Sequence, residues 1–403
     1  MSTTVCWPWK HYARLAMGGR NDRLPNDTTT QLPDYAPSPL ASRHIPLDAL
    51  RGFIIVLMAL DHANSFIAHD KLEPELWADL FPSYQGHPPL TFVTRLVTHL
   101  AAPGFFFLMG AGMILLVQSR RRQGWSDWQI TRHFLLRGLL LIFLQFTLEN
   151  WAWSLKESLG IYFGVLYALG GVMIIGALLL HLPQRWLLIV SVSLIMATEL
   201  LLPQTRTGFI AYPVPLRMLL LPGFGGPVLV LYPLMPWLGV AGLGMVYGRW
   251  LQQNPAQAYR RAFWLGLVAL LIFLPIRYLG DFGNIRPPAG QTWIAMLNVV
   301  KYPPSITFLL LTLGTNLLLL ALFSRLPEWI LWPLAVFGQA PLFFYLSHLF
   351  LYGFWGRWID PAGIGIPRMI PYWLLGLLIL WPFCWLYGRF KHGRPPNSIW
   401  RFL

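Results

Sequence analysis

The stretch Leu47-Asp48-Ala49-Leu50-Arg51-Gly52-Phe53-Ile54-Ile55-Val56-Leu57-Met58-Ala59-Leu60-Asp61-His62, residues 47–62, decides the fold. From residue 50 to 68 the chain is almost unbroken hydrocarbon, long enough as a helix to cross roughly 30 Å of bilayer interior. Ionisable residues punctuate it only near its two ends. No soluble surface helix reads this way, because a soluble helix needs a polar face along its whole length.

Working outward, nine further apolar runs follow, at 92–118, 133–153, 161–181, 186–202, 228–250, 262–280, 304–323, 329–353 and 369–388. The segment 209–222 is also apolar but holds Pro213, Pro215, Arg217 and Pro222, which reads as an interfacial or re-entrant piece. Of the 403 residues 56% are hydrophobic and only 11% charged, against roughly 25% charged in soluble domains. The fold class is all-α: a polytopic integral membrane protein of about ten transmembrane helices. Residues 1–43 lack an apolar signal-peptide core and read as a disordered cytosolic tail. Residues 44–390 form the transmembrane domain, and 391–403 a short cytosolic tail.

Lys and Arg set the orientation. With the N-terminus inside, 20 of the 30 basic residues fall on the cytosolic side, among them Arg120, Arg121, Arg122, Arg249, Arg260 and Arg261. The opposite side holds the remaining 10, so the chain is N-in and C-in, as in a bacterial inner membrane protein. The net charge of +14 is thus a topology and lipid-contact signal, with no aromatic-and-basic platform for nucleic acid. Cys6 and Cys384 give neither a metal spacing nor a disulfide framework. GxxxxGK[ST], GxGxxG after a strand, HExxH and paired CxxC are all lacking, which removes support for ATP hydrolysis, dinucleotide redox chemistry and zinc proteolysis. No metal is expected.

Ionisable side chains inside spans mark function or a paired structural contact. Asp48 and Arg51 are i,i+3 and share a helix face, where a juxtamembrane ion pair is the plain alternative to ligand binding. From Arg51 to His62 is eleven residues, 20° beyond three full turns, so both lie on one stripe about 16 Å apart. Asp61 stands beside His62, and a histidine next to a carboxylate can serve as a general base. Arg95 and His99 are i,i+4 at the entry to the second run, and His348 follows Tyr345 in the ninth. Topology puts His62, His99 and His348 at similar depth in the outer half of the membrane. The alternative for each is a buried histidine satisfied by its own surroundings. Gly110-x-Gly112 and Gly242-x-Gly244-x-x-x-Gly248 are read as close helix approaches. His87, in Gly86-His87-Pro88-Pro89, is a weaker acceptor-side candidate.

The string Leu47–Gly52 with Asp61-His62 resembles the opening of the heparan-α-glucosaminide N-acetyltransferase catalytic-domain family. The resemblance continues through Thr94-Arg95 to Thr98-His99-Leu100-Ala101-Ala102-Pro103, then Tyr232–Gly239, Lys301–Ser305 and Phe337–His348. Arg51-x10-His62 is also similar to the signature of the acyltransferase-3 family of membrane O-acyltransferases. The resemblance implies transfer of an acyl group, normally acetyl, from cytosolic acyl-CoA to an amine or hydroxyl of a sugar-type acceptor on the far side of the bilayer. On that reading His62 or His99 removes the acceptor proton, Asp61 orients the imidazole, and His348 completes the cavity. Arg51, Asp48 and Arg95 are the candidate donor-binding residues. The rival class is a transporter or a non-catalytic membrane protein, its polar stripe a permeation path, although no paired halves are visible. Oligomeric state is not legible, and a homo-oligomer fits as well as a monomer.

Overall fold

Helix α1 (Ile45–Ile67) carries the 47–62 stretch, with Pro46 in the first turn, where its missing N–H leaves no bond unmade. The computed structural model describes residues 44–69, 74–79, 84, 86–155, 160–203, 212–360, 362–395, 398 and 400, and the fold is nearly all-α, 75% helical. The N-terminal tail 1–43 lies outside the described residues.

Every apolar run contains helix. The second folds as α2 (Pro89–Thr98) and α3 (Ala101–Arg122). The third gives α4 (Asp127–Leu144), a π-helical turn at Gln145–Glu149 and α5 (Asn150–Ser154). Next come β1 (Ile161–Phe163), α6 (Val165–Leu179) and α7 (Gln184–Leu200). A short helix α8 (Val214–Leu219) lies in the Pro-rich segment, ahead of β2 (Gly223–Gly225) and β3 (Val228–Val230). Then follow α9 (Leu234–Gln253), α10 (Pro255–Leu279), α11 (Trp293–Leu297) and α12 (Ile306–Phe323). The chain closes with α13 (Glu328–Gln339), α14 (Pro341–Ile359) and α15 (Ile366–His392). The sequence pattern did not reveal the small sheet, ordered β1-β3-β2, with β1 parallel and β2 antiparallel to β3.

Among the described residues, five helical segments are long and apolar enough to cross a membrane: Pro89–Arg122, Asp127–Ser154, Pro255–Leu279, Ile306–Phe323 and Ile366–His392. The pair α13 and α14 makes a sixth if counted as one span, bent by 77°. The chain is a multi-pass membrane protein. Leu271, Leu274, Leu279, Leu378 and Leu386 stand exposed on α10 and α15, an apolar surface that only lipid or another protein would cover. Helices α6 and α7 have 15 and 17 residues, and most of α1 and α9 is enclosed by protein. The ninth run is not straight because Pro341 has no N–H to bond into the preceding turn, and Ala340 leaves helical geometry at φ −126°, ψ 49°.

Helix α1 is the hub, packing against α2, α3, α12, α13, α14 and α15. Glycines bring its neighbours close. A Cβ on Gly52 would land on the carbonyl oxygen of Leu334, and one on Gly338 on that of Asp48. Gly244 meets the Phe107 carbonyl and Gly110 that of Ala241, locking α3 to α9, whereas Gly112 has open space and plays no such part. Gly356 sits on the Phe66 carbonyl, which draws α14 onto α1. Substituting Gly52→Ala should therefore destabilise the protein by about 1–3 kcal/mol through backbone overpacking. Gly112→Ala should be near neutral, and thermal unfolding in detergent compares the two.

The segment 281–303 is held by Arg277. Its buried guanidinium donates to the carbonyls of Arg286, Ala295, Met296 and Asn298 and to Asn284 Oδ1. Backbone N–H groups of Lys301 and Tyr302 donate to the Glu75 carbonyl, and that of Trp77 to the Tyr302 carbonyl. The two loops thus close together over one end of α1.

Candidate active site

His62 projects from α1 and His348 from α14, and the close approach at Gly356 puts them in hydrogen-bond contact, Nδ1 of His62 to Nε2 of His348 at 2.7 Å. The other nitrogen of His348 lies 2.8 Å from the Phe344 carbonyl oxygen. A carbonyl only accepts, so His348 carries its proton on Nδ1 and, when neutral, accepts at Nε2. His62 must then donate from Nδ1, and its Nε2 is left with a bare lone pair. That nitrogen has no hydrogen bond to any described residue, and His62 is only half-buried. The hydrogen-bond chain therefore selects one tautomer and presents a proton acceptor. Trp153 stands edge-on to His62 at 5.4 Å and Tyr345 at 6.1 Å, measured between ring centroids.

Asp61 lies one residue back, turned about 100° around the helix. Its oxygens accept from Arg95 Nη1, at 2.9 and 3.1 Å, and from the Thr98 hydroxyl at 3.0 Å. The hydrogen bond that orients His62 comes from His348 rather than from Asp61. Arg95 in turn forks onto Glu75 through Nε and Nη2, both at 2.9 Å. His99 Nε2 approaches Glu75 Oε1 at 3.3 Å, an ion pair only when the imidazole is protonated and without the alignment of a hydrogen bond. His99 is fully buried against Phe308 and does not join the His62–His348 pair. His87 sits in the turn before α2 and contacts neither imidazole among the described residues.

Burial alone would raise the Glu75 carboxyl, but Arg95 and then His99 overcome it and hold the group well below the usual carboxylate range. A depressed carboxylate stabilises the fold above its unfolded pKa, about 4.3, and loses that contribution as pH falls through the lower folded value. Stability from this lock should therefore be level from pH 8 to 5 and decline below about 4. Thermal unfolding across that range reads it, and Glu75→Gln should flatten the acid limb.

Lys301, buried in the loop beside Glu75, sets its ammonium 5.1 Å from the Tyr302 ring, and its charge reaches Asp61, His62 and His99. With Arg95 it balances Asp61 and Glu75, two positive charges against two negative. Glu149, in the π-helical turn, faces Tyr345, Trp153 and Gln145, yet neither carboxylate oxygen reaches hydrogen-bond geometry. Glu75, Lys301 and Glu149 were given no role from sequence. They sit on loops or a helix irregularity, where no periodicity marks a partner.

At the other end of α1, Asp48 and Arg51 form the i,i+3 pair at 2.8 Å, and Arg51 also donates to the Gly338 carbonyl at 3.0 Å. Arg95 lies at the His62 end and Arg51 eleven residues away, so the three candidate donor-binding residues do not gather at one place. The described residues contain no group of three or more His, Cys, Asp or Glu able to hold a metal ion.

The profile of one family, heparan-alpha-glucosaminide N-acetyltransferase, catalytic, matches residues 43–278, more than half of the chain. The chain belongs to that family. The matched range carries Arg51, Asp61, His62, Glu75, Arg95 and His99, while His348 and Lys301 lie beyond it. Membership of a heparan-α-glucosaminide N-acetyltransferase catalytic family accords with a membrane-embedded transferase rather than a transporter. No curated protein matches the chain.

Proposed function

We propose that the protein transfers an acyl group, acetyl by family resemblance, from acyl-CoA to an amine or hydroxyl of a sugar-type acceptor. The observation that carries this is the free Nε2 lone pair of His62, created by the His348–Phe344 hydrogen-bond chain. In the step proposed, the acceptor N–H or O–H attacks the thioester carbonyl carbon. His62 Nε2 takes the acceptor proton as the N–C or O–C bond forms. The C–S bond breaks, and the thiolate leaves and takes up a proton. A positive charge then spreads over an imidazole whose Nδ1–H already donates to His348, which supports the charged form. Lys301 brings an ammonium to the same region, suited to the oxygen on which negative charge develops.

In this reading the bundle crosses the bacterial inner membrane ten times, with both ends cytosolic, the donor entering at the Arg51 end and the acceptor at the periplasmic His62 end. Cysteines introduced at 120–132 and 249–261 should react only with permeant reagent in intact cells, and those at 281–303 with impermeant reagent. Labelling of 120–132 from outside would overturn the orientation. Reconstituted protein supplied with acetyl-CoA and amino sugars should release free thiol in proportion to acylated sugar.

A further inference from the structure

The ends of α3, α4 and α9 and the turn from α6 to α7 enclose a cavity of about 750 Å³, inside the range of roughly 300–1,000 Å³ usual for ligand sites. Thr98 touches Asp61 and Gly104 packs on Ile54, so α3 runs antiparallel to α1 and its Arg120–Arg122 end lies away from His62. Among the described residues, none of α1, α13, α14 or α15 lines the cavity. It stands apart from the His62–His348 pair and from the stripe that joins His62 to Arg51.

Its wall has two halves. One holds Arg121, Arg122 and Arg249 against a single carboxylate, Asp127, three positive charges to one negative. Asp127 Oδ1 accepts from Arg121 Nη2 at 2.9 Å and from Arg121 Nε at 3.2 Å, so that charge is spent on Arg121. Arg249 Nη2 donates to the carbonyls of Leu182 at 2.8 Å and Leu180 at 3.1 Å. These bonds hold its guanidinium in place without neutralising it, and its Nε and Nη1 have no hydrogen bond to any described residue. Arg122 has no hydrogen bond or ion pair with any described residue. The other half is apolar, with Ile114, Val117, Ile130 and Leu182.

The depth of the cavity is marked by tryptophan. Trp128, next to Asp127, and Trp186, three residues past Pro183, are both exposed, and exposed tryptophans of a membrane bundle gather at headgroup level. Leu178, exposed on α6 two residues before Leu180, carries apolar surface away from the cavity along the bundle.

We propose that this cavity binds the headgroup of one anionic phospholipid, with Arg122 and Arg249 on the phosphodiester and an acyl chain against the apolar half. Basic recesses between membrane helices suit anionic headgroups, because the phosphate meets fixed cations while its chains stay in the bilayer. A soluble phosphate would use only one half of the wall. The bound lipid bridges the α3–α4 turn, the α6–α7 turn and α9, and it stabilises the folded bundle by mass action.

The test titrates full-length protein in detergent with dioleoyl phosphatidylglycerol or dioleoyl phosphatidylcholine and counts bound lipid by native mass spectrometry. Phosphatidylglycerol should bind the wild type about 30-fold more tightly than phosphatidylcholine and raise its unfolding temperature, each arginine at a membrane surface contributing about fivefold. Arg122→Gln with Arg249→Gln should abolish that preference and leave phosphatidylcholine binding unchanged. Arg122→Gln alone, expected to cost about fivefold, carries the test if loss of the Arg249 carbonyl bonds prevents folding. Arg260→Gln with Arg261→Gln removes the same charge from the first turns of α10, outside the wall, and should change neither lipid. Equal weakening by the two pairs would overturn the proposal in favour of a diffuse basic field. So would a wild type that does not distinguish the two lipids. Displacement of the bound lipid by glycerol 3-phosphate would assign the cavity to a soluble phosphate, and displacement by acetyl-CoA would assign it to the donor; either overturns the lipid site.

Discussion

His62→Ala is expected to lower acyl transfer by 10²- to 10⁴-fold, the usual contribution of a positioned general base, while the protein remains folded. The substitution removes a half-buried ring whose one hydrogen bond is to His348, so the packing loss is local. His62→Gln is the sharper variant, because its amide can still donate toward His348 but offers no basic nitrogen. His348→Ala should act differently. It leaves Nε2 of His62 in place yet frees the ring to rotate and to adopt the other tautomer, so the loss should be smaller and should fall on turnover more than on donor affinity. Rate measured against acetyl-CoA and acceptor concentration in proteoliposomes separates these outcomes. Wild-type turnover in His62→Ala would remove His62 from the mechanism and leave the His348 chain as a structural contact.

How much of this arrangement was legible depends on how local each feature is. Helices were read from runs of apolar residues, because hydropathy is a property of one segment and needs no partner. The Asp48–Arg51 pair was read from i,i+3 spacing and is present at 2.8 Å. The Gly110 and Gly244 approaches were read from small-residue spacing, and Gly112, alike in sequence, packs against nothing. The His62–His348 hydrogen bond spans 286 residues. It depends on Gly356 seating α14 on α1, a choice of partner that no single segment records. Depth alone suggested that His99 would join the other two imidazoles. Depth ignores azimuth, and His99 turns instead toward Glu75 on a loop that closes over the end of the bundle. Among the described residues, five segments, or six with the bent pair taken as one, are long and apolar enough to cross a membrane on their own. An apolar run can be apolar because it faces lipid, as α10 does, or because it is enclosed by protein, as α1 is.

The largest stability effect should come from that loop. Glu75→Ala is expected to destabilise the protein by about 3–5 kcal/mol, the cost of leaving one partner of a buried ion pair uncompensated. Glu75 is 1% exposed and accepts both arms of the Arg95 fork. Without it, the buried guanidinium keeps only Asp61 as a counter-charge, and Lys301 adds a second cation to the same enclosure. Arg95 would then draw more strongly on Asp61, next in the chain to His62, so activity should fall together with stability. Arg95→Ala alone should be as damaging, since it strands Asp61 and Glu75 together. The double variant Glu75→Leu with Arg95→Met removes both charges and fills the space with apolar atoms, so it should recover a good part of the lost stability, as replaced buried pairs often do. It should not recover full activity, because Asp61 then has no guanidinium to hold it and keeps only the Thr98 hydroxyl and the charge of Lys301. Thermal unfolding and initial rate measured on wild type, Glu75→Leu, Arg95→Met and the double variant form a cycle. Strict additivity in both readouts would mean that the Glu75–Arg95 contact is energetically incidental, and that the loop is held over the site by the backbone hydrogen bonds of Glu75 and Trp77 with Lys301 and Tyr302 alone.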